Sequence, residues 1–214
     1  MLRILIADDH EIVRRGVHVH LKQRADWQVC GEAQNGREAV RLAHELEPDI
    51  VVMDLSMPEL NGLEATRQIR RELLRTEILI LTEHQTEQMI REALSAGARG
   101  YVLKTDAGCH LINGIEALAR HKPYFTANVS KTLLDAFLMS NPNTDENAGL
   151  FLTAREREIV QMLTEGKSNK EVANRLRISV KTVETHRSSV MRKLNINSIV
   201  ALVHYAIRNQ IVEA

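Results

Sequence analysis

The chain has 214 residues, 44% of them hydrophobic and 26% charged, with acidic and basic side chains in balance, which fits a globular protein of one large domain or two modest ones. No window of about 18 apolar residues occurs and no basic start leads into a long apolar core, so no membrane span and no signal peptide are expected, and the chain is placed in the cytoplasm. Two cysteines, Cys30 and Cys109, lie far apart and outside any CxxC or Cys/His cluster, which argues against a disulfide framework or zinc site and predicts two ordinary buried thiols.

In chain order, short apolar runs stand at "RILIA" (3–7), "WQVCGEA" (27–33), "DIVVMD" (49–54), "EILIL" (77–81) and "GYVL" (100–103). Helical spacing fills the gaps, as at Glu38–Leu46 and Glu64–Leu74. This alternation predicts a doubly wound α/β domain with a five-stranded parallel sheet over residues 1–122. Three runs are almost wholly apolar, as strands covered on both faces should be. Residues 123–149 read as a linker, with a short helix near Lys131–Met139 and then the polar stretch "SNPNTDENAG". Residues 150–214 show only helical patterns and predict a small all-α domain.

Charge divides along the same lines. Residues 1–122 hold 16 Lys/Arg against 19 Asp/Glu, residues 123–149 hold 1 against 3, and residues 150–214 hold 11 against 6. An acidic front and a basic tail suggest two jobs, with nucleic acid a partner for the tail.

Ligands of open parallel sheets bind beyond the carboxyl ends of the strands. Asp8 and Asp9 follow the first strand, Asp54 ends the third, Thr82 follows the fourth and Lys104 follows the fifth. Each alone has a bland reading as a turn residue, a helix cap or a solvated charge. Together they place three carboxylates, a hydroxyl and an ammonium at one edge. Three close carboxylates do not all stay ionised without a counter-charge. A hard divalent cation, Mg²⁺, supplies one through oxygen ligands. With Lys104 and Thr82 beside it, such a site is equipped for phosphoryl transfer, and Asp54 is the candidate nucleophile. His10 reads as a partly exposed helix-start residue, with metal ligation as the sharper alternative. Tyr101 reads as a half-buried aromatic or as a ring that moves when the site is charged.

The stretches "ADDH", "VVMDLSMPELNGLEATRQIR", "ILILTEH" and "AGARGYVLKTDAG" resemble the receiver domain of two-component response regulators over residues 1 to about 120. The resemblance implies a flavodoxin-like fold in which Asp54 accepts a phosphoryl group from a sensor histidine kinase. It implies Mg²⁺ held by Asp8, Asp9, Asp54 and the backbone carbonyl of Ser56, with Lys104 pairing with the phosphoryl group. Thr82 and Tyr101 then form the switch, and Pro58 and Gly62 shape the loop after Asp54. His84 and Ser56 stand where such domains tune the lifetime of the acyl phosphate.

In the tail, Thr153 with Glu156 and Ser168 with Glu171 match capping boxes, and Gly166 ends the helix between them. A tight connection through Arg177, Ile178 and Ser179 leads to a third helix that Ser179 can cap. Val183, His186, Val190 and Leu194 line one side of that helix. A helix, a tight turn and a second helix with a basic polar face make a helix-turn-helix, whose second helix enters the DNA major groove. Lys181, Arg187, Arg192 and Lys193 suit phosphates, and Glu184, Thr185 and Ser188 suit base edges, with Thr182 beside them. "LTAREREIV", "GKSNKEVANRLRIS" and "KTVETHRSSVMRKL" resemble the LuxR-type helix-turn-helix of NarL/FixJ-family regulators over about 150–210. That resemblance implies transcriptional control on double-stranded DNA and a homodimer whose surface lies on the last helix at Leu202, Val203 and Ala206. Ile199 stands where many members carry an arginine. Together the two resemblances imply a response regulator that catalyses only its own Mg²⁺-dependent phosphorylation and dephosphorylation. A small Mg²⁺-dependent phosphatase, a degenerate interaction module and a ligand-sensing regulator are the rival readings.

Overall fold

The computed structural model of the chain describes residues 1–83, 86–139, 152–209 and 211–212. It divides into two units, Met1–Asn141 and Pro142–Ala214. The first unit holds β1 (Leu2–Ala7), β2 (Trp27–Ala33), β3 (Ile50–Met53), β4 (Glu77–Thr82), β5 (Gly100–Leu103) and β6 (Tyr124–Phe125). They form one parallel sheet in the order β2-β1-β3-β4-β5-β6. Between the strands run α1 (Glu11–Leu21), α2 (Gly36–Leu46), α3 (Gly62–Glu72), α4 (Glu87–Ala96) and α5 (Ala107–Ala119), and α6 (Ala127–Met139) follows β6.

Strand residues alternate between faces, and both faces are covered. Leu5, Val51, Ile78 and Ile80 join one apolar cluster, while Ile4, Ile6, Val52, Leu79 and Leu81 join the other. This is why β3 and β4 are buried along their whole length and read as unbroken apolar runs. Asn35, Asn61 and Thr86 cap α2, α3 and α4 by accepting from the backbone N–H three residues on.

The expected five-stranded sheet is a six-stranded one. β6 pairs with β5 through Gly100↔Tyr124 and Tyr101↔Phe125, so part of the stretch expected to be linker belongs to the sheet. Two residues carry no periodicity that a sequence pattern can register. Val129 of α6 is fully buried in the same cluster as Met89, Ile90 and Ala93 of α4. Cys109, expected to be buried, is exposed on the first turn of α5, while Cys30 is half-buried and both thiols are free.

The second unit contains α7 (Ala154–Thr164), α8 (Asn169–Leu176), α9 (Val180–Lys193) and α10 (Ile199–Arg208). Both capping boxes form, Thr153 with Glu156 and Ser168 with Glu171. Its core gathers Ile159, Val160, Met162, Val172, Val183, Val190, Leu202 and Ala206. Among the described residues, no helix is long and apolar enough to cross a membrane.

Candidate functional site

The chain leaves β1 for β2 on one side and returns to β3 on the other, so helices on opposite faces open a crevice at the ends of β1 and β3. Register fills that crevice. Ala7 pairs with Met53, which sets Asp8 beside Asp54, and Asp54 N donates to Ala7 O at 2.8 Å. Thr82 pairs with Leu103, which sets Thr82 beside the residue preceding Lys104. Lys104 Nζ lies 2.8 Å from Asp54 Oδ2 and 2.9 Å from Asp8 Oδ2. Asp54 Oδ1 accepts from Leu55 N at 2.8 Å, and Asp8 Oδ1 accepts from His10 N at 2.8 Å.

Electrostatics follow from this packing. Burial pushes the Asp54 carboxyl up, Lys104 pulls it down and Asp8 pushes it up again, leaving it at about 6. Burial pulls the Lys104 ammonium down, but its pairing with Asp54 and Asp8 outweighs this, and the net direction is up. Asp54 therefore combines burial with a charged partner, the combination found where a side chain does chemistry. Thr82 is fully buried at the end of β4. Tyr101 is fully buried rather than half-buried, and burial together with Asp54 pushes its hydroxyl pKa up.

Gly62 permits the loop after Asp54. A Cβ there would stand 1.8 Å from the Asp54 carbonyl oxygen, and Gly62 N donates to Leu55 O at 2.9 Å. Only glycine lets α3 begin this close to the strand end. Pro58 is exposed in the same loop, Ser56 is partly buried there, and His84 lies outside the described residues.

One ligand atom from each of Asp8, Asp9, His10 and Asp54 falls within 4.8 Å of the others. Three carboxylates exceed the single charge of Lys104, so the donor set suits a hard divalent cation bound through oxygen. Composition alone did not reveal Arg14. It is buried, its Nη1 donates to the carbonyls of Asp8 at 2.8 Å and Asp9 at 3.2 Å, and its Nε donates to Glu32 Oε2 at 3.2 Å. The signal was available: Arg14, Val17 and Leu21 form one helical stripe, and a charge on a buried stripe needs partners.

In the second unit, Arg177 takes the left-handed conformation (φ 53°), Ile178 N bonds back to Ala173 O at 3.0 Å, and the Ser179 side chain accepts from Thr182 N. Three residues thus turn α8 into α9. Lys181, Glu184, Thr185, Ser188 and Arg192 are exposed on α9, and Thr182, Arg187 and Lys193 are partly exposed. Thr182 shares a 2.8 Å hydrogen bond with Ser179, and Thr185 Oγ1 donates to Lys181 O at 2.9 Å. Lys193 Nζ lies 2.7 Å from Glu156 Oε2, so it is tied to the body of the unit. Two dimer-surface expectations are corrected. Leu202 and Ala206 are fully buried in the unit's own core, where α10 packs on α7, and only Val203 of that trio is partly exposed. The outward apolar residues of α10 are Ile199 and Val200.

Comparison with known proteins gives two family matches, "Response regulator receiver domain" over residues 4–116 and "Bacterial regulatory proteins, luxR family" over residues 150–206. The transcriptional regulatory protein LiaR of Bacillus subtilis is 39% identical over 212 residues, covering 99% of this chain and all of LiaR. The response regulator protein VraR of Staphylococcus aureus is 34% identical over 214 residues, covering 99% of each chain. RcsB of Salmonella enterica serovar Typhimurium, solved bound to promoter DNA with a phosphomimetic, is 26% identical with a TM-score of 0.64, covering 95% of this chain and 97% of that one.

Proposed function

The chain belongs to the NarL/FixJ family of two-component response regulators, DNA-binding transcription regulators that couple a receiver domain to a LuxR-type helix-turn-helix, and on that premise we propose that Asp54 is its phosphoacceptor. The observation that carries the assignment is the Lys104 ammonium bridging Asp54 at 2.8 Å and Asp8 at 2.9 Å at converging strand ends.

A phosphohistidine of a sensor kinase is the donor. An Asp54 carboxylate oxygen forms the new O–P bond as the N–P bond breaks, and the departing imidazole takes up a proton. Lys104 holds positive charge where the phosphoryl oxygens arrive. Asp8, Asp9, Asp54 and the Ser56 carbonyl would hold Mg²⁺, which supplies charge neutralisation at those oxygens when bound. Arg14 fixes the two backbone carbonyls from which the Asp8 and Asp9 side chains hang. Thr82 turns its hydroxyl to the phosphoryl group, Tyr101 packs behind it, and the two bias a pre-existing equilibrium between receiver conformations.

The favoured conformation pairs two copies on adjacent half-sites in the cytoplasm. There Lys181, Arg187, Arg192 and Lys193 serve DNA phosphates, with Lys193 the least available. Glu184, Thr185 and Ser188, flanked by Thr182, serve base edges. Support comes from the exposure of most of that set on α9 and from RcsB, which has been solved on DNA.

Asp54→Asn removes the nucleophile while keeping the shape. Wild-type protein given radiolabelled acetyl phosphate and Mg²⁺ takes up base-labile label, and Asp54→Asn takes up none. Undiminished base-labile uptake by Asp54→Asn contradicts the assignment.

A further inference from the structure

We propose that His10 is a fourth side-chain donor at the cation site, and that its imidazole tilts the site toward first-row transition ions such as Mn²⁺ over Mg²⁺. The inference rests on the reading of Asp8, Asp9 and Asp54 as cation ligands.

His10 Nδ1 stands 2.9 Å from Asp9 Oδ1 and 3.5 Å from Asp8 Oδ1. Neighbouring ligands on an octahedral ion with bonds of about 2.1 Å lie about 3 Å apart. The nitrogen and the Asp9 oxygen therefore already have the spacing of adjacent ligand positions. All four residues also offer an atom within 4.8 Å of the rest, so a contraction of about half an ångström brings the set to the roughly 4.2 Å that separates opposite ligands on such an ion.

The neighbouring groups leave the ring this role. His10 precedes α1 at the capping position, yet its side chain makes no capping hydrogen bond there. Its backbone N–H is taken by Asp8 Oδ1 instead. Lys104 faces Asp8 Oδ2 and Asp54 Oδ2, while Asp9 Oδ1 faces the His10 ring, which stands half open to solvent.

Mg²⁺ is hard, prefers oxygen and gives up its water reluctantly, so a nitrogen adds little for it. First-row transition ions accept imidazole more readily than Mg²⁺ does, with Mn²⁺ the weakest of that series and so the most stringent of them to test. A rival role is also plain: the ring could only donate from Nδ1 to Asp9 and hold that carboxylate in place. Such an orienting bond would serve every cation alike, so ion selectivity separates the two.

The test uses full-length protein at one pH near neutrality. Mg²⁺ and Mn²⁺ are titrated by calorimetry into wild type and His10→Gln, with His10→Asn as a second variant and circular dichroism as a check on folding. Electron spin-echo spectra of the Mn²⁺-loaded proteins report directly bound nitrogen. The expected result is a loss of about tenfold in Mn²⁺ affinity in both variants, equivalent to about 1.4 kcal/mol. Mg²⁺ affinity stays within about twofold, because that ion takes oxygen ligands. Nitrogen modulation is present in wild type and lost in the variants. Equal weakening of both ions, or wild-type spectra without bound nitrogen, overturns the inference and leaves the carboxylate site standing. Failure of wild type to bind either ion overturns the carboxylate site as well.

Discussion

Glu156 serves two helices at once. Its carboxylate closes the capping box of α7 through Thr153 and also accepts from Ser189 Oγ at 3.2 Å and Lys193 Nζ at 2.7 Å on α9. Burial pushes its pKa up, but the bonds from Lys193, Thr153 and Ser189 outweigh this and bring it down to about 2. The folded value lies below the unfolded one, so the stabilisation is present above about pH 4.5 and is lost as pH falls toward about 2. Glu156→Gln should cost about 1–3 kcal/mol near neutral pH, since it weakens a buried charge-assisted set. Urea unfolding across that acid range should show a shallower loss in the variant than in wild type, and identical acid profiles would remove Glu156 from the account. The capping half of this role was legible from Thr153 and Glu156 three residues apart. The Lys193 half was not, because spacing along a chain carries no information on which distant cation a buried carboxylate meets. Arg14 shows the same limit: its helical stripe marks it as buried, but no spacing marks the Asp8 and Asp9 carbonyls or the Glu32 carboxylate that it meets.

At the scale of elements, strands were read well where both faces are buried. Unbroken apolar runs located β3, β4 and β5 to within a residue or two, and the chemistry-bearing residues followed from the rule that ligands gather at strand ends. The limits appeared at β6, too short to show a period, and at α10, whose apolar residues look the same whether they face a partner or the unit's own core. Leu202 and Ala206 face the core. Two substitutions probe the elements directly. Gly62→Ala forces a Cβ against the Asp54 carbonyl at 1.8 Å, so α3 must shift. It should destabilise the receiver by roughly 2 kcal/mol or more, as overpacking of a tight site does, and should slow phosphoryl uptake; wild-type unfolding and uptake would contradict the close packing. Val129→Ala should cost about 1–2 kcal/mol, the scale for removing two buried methyl groups, if α6 is an integral part of the first unit. An unchanged denaturant midpoint would show that α6 contributes nothing to that fold.

Across the whole molecule, an acidic site in one unit and a basic helix in the other make the zero net charge a sum of two specialised halves. The basic half makes a quantitative prediction. DNA affinity should fall steeply with salt, and Lys181→Ala or Arg192→Ala should each reduce the slope of log affinity against log salt by about 0.9, the value for one lost phosphate contact. Glu184→Ala should instead alter sequence preference with little change in slope. Fluorescence anisotropy on specific and random duplexes distinguishes these outcomes, and unchanged slopes in both basic variants would take α9 off the phosphate backbone. The acidic half carries the central claim, that Asp54 is the one side chain that accepts the phosphoryl group. Its most direct measurement is chemical trapping: full-length protein is treated with acetyl phosphate and Mg²⁺, reduced with borohydride, digested and sequenced by mass spectrometry. An acyl phosphate at Asp54 is reduced to homoserine, so homoserine at position 54 is the predicted result, and homoserine at Asp8, Asp9 or any other carboxylate in its place would contradict the account.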